Sequence, residues 1–550
     1  MVNWLRRNGF WGGVTLMGYV IFAILIFMPI YSIIRESFFD ARSGDLGLGN
    51  YVTFFTTPYY FRTLFNSAFV SLGGTLGAVI LGVPLAFFTT RYRIRGSAVL
   101  STLATLALLT PPFLGAYAWI VMLGRNGFVR HMFLNLGIEL PTIFGPLGII
   151  IVFTLQFYPF VYLLTASGLK TVDRSLEEAA ENLGARPFRK FMKVTMPLVL
   201  PSITSGALLA FMLALSNFGT PMIIGGGYRV LPTMAYAMYT SEVATRPAMA
   251  STISIIMVIV AALAIFLQRY AANRRKFTSM LLNRPVVLRL KGMKNVLAHL
   301  VSYLIVALST LPMVVVVVFA FRNTSGPVFI PGFGLDSFRR VILGVPQAIT
   351  NSMVYSFTAL ILIVGVGTLL GFVLSRRRTK ANLVLDALLM SPYIIPGTVL
   401  GIGFIVTFNR PPFFLQGTAA IMILAYFIRR LPYSVRSAIS ILQQIDPALE
   451  EAGISLGAPP ARAFVKVALP LMIPGIISGA VLSWVTAINE LSTSILLYVG
   501  GTITMPIRIF LSVMDGHFGP GSAMATILLA ATGLALLVLN VFGDSKRNIV

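Results

Sequence analysis

The chain has 550 residues, 57% of them hydrophobic and 11% charged, whereas a soluble domain carries about 25% charged residues; the composition excludes an ordinary water-soluble fold. A formal net charge of +25 would suit a nucleic-acid binder, but the Lys and Arg residues lie in short clusters between apolar runs, which is how a chain sets its orientation in a bilayer. There are no cysteines, so disulfides and thiolate metal sites are excluded.

Apolar runs long enough to cross a bilayer core of about 30 Å recur along the whole chain. The first, at 11–34, follows Arg6 and Arg7 but is too long for a signal-peptide core and lacks a small-residue cleavage site after it, so it reads as a retained span. In chain order, twelve transmembrane helices are predicted at 12–34, 66–90, 98–123, 147–168, 199–217, 248–268, 299–321, 351–375, 382–407, 416–436, 472–492 and 521–542. With the N-terminus in the cytoplasm, segments 1–10, 91–97, 168–196, 269–296, 375–380, 428–468 and 543–550 hold most of the 42 Lys and Arg residues. The bias predicts that both termini lie inside, consistent with an even number of spans.

Six predicted spans precede a basic linker at 269–298 and six follow it, dividing the chain into halves at 1–268 and 299–550. Each half has a polar stretch between its fourth and fifth spans: EEAAENLGARPFRKFMKVTMP at 177–197 and EEAGISLGAPPARAFVKVALP at 450–470. Between 173–201 and 446–474, 273 residues apart, 16 of 29 positions are identical, and seven of the chain's 17 acidic residues lie there. Two copies that start from the same side form a parallel repeat about an axis along the membrane normal. The predicted fold is all-α and polytopic.

Local chemistry predicts a short helix in each copy. Asp173 and Asp446 are suited to cap it, with Pro447 at the first helical position. Ser175 and Glu178 have capping-box spacing and compete with Asp173 for the role. Glu177, Glu178, Glu450 and Glu451 fall near the first turn, where the helix dipole favours carboxylates. Gly184 and Gly457 are placed to end the helix in a left-handed conformation. One copy alone would pass for a solvated, well-capped loop. Two copies at equivalent topological positions point instead to docking on a symmetric partner.

The stretches resemble the signature of ABC importer permeases: EAA, three residues, Gly, nine residues, then I-x-L-P. The first copy has Glu178-Ala179-Ala180, Gly184 and Val194-Thr195-Met196-Pro197; the second has Glu451-Ala452-Gly453, Gly457 and Val467-Ala468-Leu469-Pro470. Spacing is kept, with Val for Ile twice, Met196 for Leu and Gly453 for the second Ala. The resemblance covers nearly the whole chain and implies a fused, two-half permease with the type I ABC importer fold in a bacterial inner membrane. It also implies that the two short helices couple to two copies of a cytoplasmic ATPase, which carry the ATP and Mg, and that a periplasmic binding protein delivers substrate. Glu177, Glu178, Ala179 and Gly184, with Glu450, Glu451, Ala452 and Gly457, are the coupling residues so implied.

The chain has no Gly-Lys dipeptide and hence no P-loop, so it cannot itself cradle ATP phosphates. No acid–base or nucleophile constellation marks it as an enzyme. A gradient-driven transporter remains the alternative, although such proteins place ionisable residues within their spans and few are visible here. Glu490, predicted near the outer end of the eleventh span, is the exception. The repeat offset pairs it with Asn217 and pairs Asn489 with Ser216. Asn217, Asn489 and Glu490 are therefore the translocation-path candidates, Glu490 with the alternatives of facing outer water or capping a re-entrant turn. As a path residue, its negative charge would favour a cationic cargo. Asp386 reads as interfacial. His131, His299 and His517 are far apart in sequence and suggest no metal cage, and Arg229 and Arg246 read as loop surface or binding-protein docking rather than substrate ligands. SNFGTPMIIGGGYRVLPTMAY and NELSTSILLYVGG resemble the ferric-iron group of these permeases, with thiamine, phosphonate and polyamine systems as relatives.

Overall fold

The computed structural model describes every residue except 1, 40–44, 126, 242–245, 274–286, 327, 378 and 544–550. The basic cluster at 274–276, and with it much of the 269–298 linker, lies outside the described residues. Among the described residues nine helices are long and apolar enough to cross a membrane, ten if one bent pair is a single span. They include Gly9–Phe38, Pro58–Arg91, Pro146–Lys170, Phe191–Leu215, Pro247–Leu267, Gly292–Ala320, Pro346–Arg376, Pro460–Ile488 and Phe518–Val538.

Three of the twelve predicted spans depart from the expectation for local reasons. The third is two helices, Ser97–Leu109 and Pro112–Leu123. Residues before proline are pushed out of the helical region, and Thr110 and Pro111 are both extended, with ψ of 134° and 131°. The ninth breaks in the same way at Ile395 and Pro396, where Lys380–Ile394 and Gly397–Phe408 meet at 105°. The tenth forms a helix, Ala419–Leu442, of spanning length, but Arg429, Arg430 and Arg436 fall within every spanning-length window of it and exclude it from the apolar set. The first two of these arginines lie in the middle of the helix, although the charge pattern assigns 428–468 to the cytoplasm.

The chain forms two compact units: one of residues 1–51, 238–255 and 320–550, the other of 52–237 and 256–319. Each is built around a close crossing of two helices. In the second unit, Pro58–Arg91 meets Pro146–Lys170 through Gly74, where a Cβ would stand 2.5 Å from Phe153 Cβ, and Gly82, where it would stand 2.9 Å from the Tyr158 carbonyl. In the first, Pro346–Arg376 meets Ala419–Leu442 through Gly367 and Gly371, where a Cβ would reach within 2.6 Å of Ser434 Oγ and 2.5 Å of Ala438 Cβ. Small residues allow helices this contact in lipid, where no hydrophobic force drives them together. The opposite face of each first helix is apolar and bare. Phe69, Leu72 and Leu76 are exposed in one, and Val354, Phe357 and Ile361, in matching positions, in the other. Such stripes suit acyl chains, not water.

The first span packs within the unit that holds the second sequence half. Trp11 lies against Phe372 and Phe464, with ring centroids 4.5 and 5.3 Å away. Thr15 donates to Asn382 Oδ1 at 3.0 Å, and Tyr19 donates to the Ala381 carbonyl at 2.6 Å. Conversely, Gly292–Ala320 packs with the first sequence half. Tyr158 and Ser309 share a hydrogen bond of 2.9 Å, and Tyr303 donates to the Arg95 carbonyl at 2.7 Å.

Candidate functional site

Both polar stretches fold as short helices, Arg174–Asn182 and Ala448–Ser455. Asp173 caps the first, accepting from the Ser175 N–H at 2.8 Å, which decides its competition with the Ser175–Glu178 pattern. Asp446 accepts from the Ala448 N–H at 2.9 Å. Gly184 and Gly457 end the helices at φ of +79° and +89°, the left-handed conformation that glycine adopts without strain. The following residue closes each end in the Schellman pattern: Ala185 N–H to the Ala180 carbonyl at 2.9 Å, Ala458 N–H to Gly453 at 3.2 Å. The chain then enters a π-helical turn, Phe191–Thr195 or Phe464–Ala468, at the start of the next span. A π-turn at the same place in both copies is a feature associated with functional sites.

The carboxylates divide into two sets. Glu178 and Glu451 are exposed, as are Ala179 and Ala452. Glu178 pairs with Arg174 and Glu181 with Lys190; exposed pairs of this kind contribute at most about 1 kcal/mol. Glu177 and Glu450 turn inward. Glu177 meets Arg91 at 2.9 Å and accepts from the Thr195 hydroxyl at 2.9 Å. Glu450 accepts from Arg376 Nε and Nη2 at 3.0 and 2.9 Å.

The outward face also carries leucines. Leu183 is 88% exposed and its counterpart Leu456 90%, and Leu176 and Leu449, one heptad earlier, are exposed too. These residues are identical in the two copies, a signal the duplication already contained. Leucine is thus exposed at matched positions beside both short helices.

At the other candidate site, Glu490 lies in the turn just beyond the eleventh-span helix, which ends at Ile488. It is 4% exposed. Arg429 donates to Oε1 at 2.5 Å and Arg430 donates to Oε2. Oε1 also accepts the Thr493 N–H at 3.1 Å. The carboxylate thus caps a turn and is matched by two guanidinium groups, so it does not provide the uncompensated negative charge that would favour a cation. Gly397, at the break of the ninth span, makes room for Arg429: a Cβ there would stand 2.3 Å from Nη1. Asn217 builds the same turn without charge, its Oδ1 accepting the Thr220 N–H at 3.0 Å. Position 156, which matches Arg429, is glutamine, and it donates to the Thr110 carbonyl at 2.8 Å at the other helix break. Asn489 is half-buried at the C-cap of the eleventh-span helix. Asp386 pairs with Arg436 at 2.9 Å. His131 and His517 are exposed, His299 accepts from the Arg95 N–H at 3.1 Å, and Arg229 lies over the Tyr59 ring at 5.1 Å. Among the described residues no group of three or more His, Asp or Glu side chains gathers around a common point.

A duplicated, helical membrane unit that presents a capped short helix ahead of its penultimate span defines the permease subunit of a type I ABC importer. The chain belongs to the family of binding-protein-dependent transport system inner membrane components, whose profile matches residues 78–277 and again 363–550. It is 27% identical over 551 residues to the "Ferric transport system permease protein FbpB" of Actinobacillus pleuropneumoniae, covering 96% of this chain and 77% of that protein. It is 29% identical over 503 residues to the "Putative ferric transport system permease protein FbpB 1" of Haemophilus influenzae, covering 88% and 77%. The "Molybdenum transport system permease protein ModB" of Mycobacterium tuberculosis is 32% identical over 211 residues, covering 38% of this chain and 79% of that one.

Proposed function

We propose that the chain supplies both halves of the transmembrane pathway of a ferric-iron importer, with both termini in the cytoplasm of a bacterial inner membrane. One observation carries the choice of cargo: the ferric-transport relatives align over nearly the whole fused chain, whereas the molybdenum relative aligns with only 38% of it. A periplasmic binding protein presents the iron, and two copies of a separate ATPase engage Arg174–Asn182 and Ala448–Ser455. The contact residues in this reading are Glu178, Ala179, Leu183 and Gly184 in one copy and Glu451, Ala452, Leu456 and Gly457 in the other. ATP and Mg belong to the ATPase, and this chain holds no cofactor. Closure of the ATPase pair drives alternating access; a ligand or motor shifts such an equilibrium only through its different affinity for the two states. The turns at Asn217 and at Asn489–Glu490 shape the pathway and do not ligate the ion.

The test is uptake of radioactive ferric iron by liposomes that contain this chain, its partner ATPase and the cognate binding protein. Uptake is expected to require ATP and to stop when the Walker lysine of the ATPase is replaced. Uptake that continues with the inactive ATPase would favour a gradient-driven carrier. ATP-dependent uptake of molybdate or a phosphonate, without iron, would overturn the cargo assignment alone.

A further inference from the structure

Glu177 and Glu450 each immediately precede the glutamate of the EAA-like triplet, yet they face the interior of the fold. Arg91 Nη2 lies 2.9 Å from Glu177 Oε1, and Nη1 donates to Oε2 at 3.1 Å. Nη1 makes the hydrogen bond, and the close approach of Nη2 adds a charge contact, so the guanidinium is held along one edge of the carboxylate. In the second copy, Arg376 places Nε and Nη2 on Glu450 Oε1, and Nη2 also reaches the Ile445 carbonyl at 3.0 Å, just ahead of the helix cap. Arg91 is the last residue of the helix Pro58–Arg91, and Arg376 the last of Pro346–Arg376. The same ion pair therefore joins the short helix to the end of the second span in both halves, across 86 and 74 residues of chain.

The surrounding bonds differ between the halves. Thr195, in the π-turn, donates to Glu177, so the first pair ties in the entry to the fifth span as well. Its counterpart, Ala468, has no hydroxyl, and the Ile445 contact replaces it. The shared feature is the arginine. Helices of nine and eight residues are marginal on their own, and their leucines point outward. Without an internal anchor, a push on such a helix would tilt it and go no further.

We propose that Arg91–Glu177 and Arg376–Glu450 are the linkages through which movement of each short helix reaches the second span of its half. All four are positioning residues and do not contact the ATPase. The inference rests on the ATPase-docking reading above. Lysine does not substitute for arginine here, because a single ammonium lacks the planar fork.

The experiment uses the permease–ATPase complex in liposomes with binding protein and ferric iron, and reads bound ATPase, ATP hydrolysis and iron transported per ATP. In the double variant Arg91→Lys with Arg376→Lys, the ATPase stays bound and hydrolysis continues, while iron per ATP falls about tenfold, the size of a typical coupling between sites. Exchanging the partners, Arg91→Glu with Glu177→Arg and Arg376→Glu with Glu450→Arg, restores at least part of the yield. Unchanged iron per ATP in the lysine variant would overturn the linkage. So would loss of bound ATPase from a folded variant, since the pairs would then merely shape the docking surface. Failure of the ATPase to bind the unaltered chain would instead remove the docking reading itself.

Discussion

Replacing Glu490 with alanine is expected to destabilise the folded chain by about 3–5 kcal/mol, because it leaves the largely covered Arg429 and Arg430 without their shared counter-charge. If the carboxylate acted only as a cap for the Thr493 N–H, the loss would be about 1 kcal/mol, so the magnitude separates the two roles. The geometry favours the larger value, since three donors converge on a side chain that is 4% exposed. Glu490→Gln keeps an acceptor for Thr493 but not the charge, and is expected to fall between. The first sequence half shows how the turn is built without ions: Asn217 caps it, and Gln156 and Phe157 occupy the positions of Arg429 and Arg430. Combining Glu490→Asn with Arg429→Gln and Arg430→Phe should therefore recover much of the loss, as neutral replacement of a whole buried cluster often does. Thermal unfolding of the purified chain in detergent measures all three. A melting temperature unchanged in Glu490→Ala would show that the cluster does not hold the turn.

The second large effect is expected at the opposite kind of residue. Leu183 and Leu456 are almost fully exposed, so Leu183→Asp and Leu456→Asp should change the chain's own stability by no more than about 0.5 kcal/mol. If each leucine anchors an ATPase, its loss from the interface is worth about 2 kcal/mol or more, roughly a thirtyfold weakening at each site. The double variant should insert and melt like the parent yet lose its ATPase during purification and cease transport. Equal recovery of ATPase with parent and double variant would refute the anchoring role.

The short helices were legible in the sequence because everything that builds them is local: Asp173 and Asp446 cap within two residues, and Gly184 and Gly457 close within five. Duplication then lifted them above the many polar loops such a chain could have. The spans were legible as apolar runs, and the breaks at Pro111 and Pro396 lay in plain view as prolines. Proline alone does not tell a break from a tolerated position, since Pro84, Pro159, Pro201 and Pro432 all stand inside continuous helices. The arginines were the least legible. Arg91 and Arg376 sit in basic clusters that orientation alone would explain, and composition does not tell which member of a cluster turns inward to meet a carboxylate tens of residues away. Arg429 and Arg430 precede Glu490 by about 60 residues on a different helix, so the sequence displayed a lone intramembrane acid where the fold contains a compensated group. The exchange of first spans between the halves has no local signal at all, since an apolar helix carries little record of its neighbours.

The central claim is that one chain supplies both docking helices. Because the chain has no cysteines, a single cysteine placed by Leu183→Cys or by Leu456→Cys reports on one helix at a time. Cross-linking to the ATPase in the assembled transporter is predicted from either position, and the variant with both should carry two ATPase copies per chain. A cross-link from only one position, or a limit of one ATPase per chain, would contradict the account.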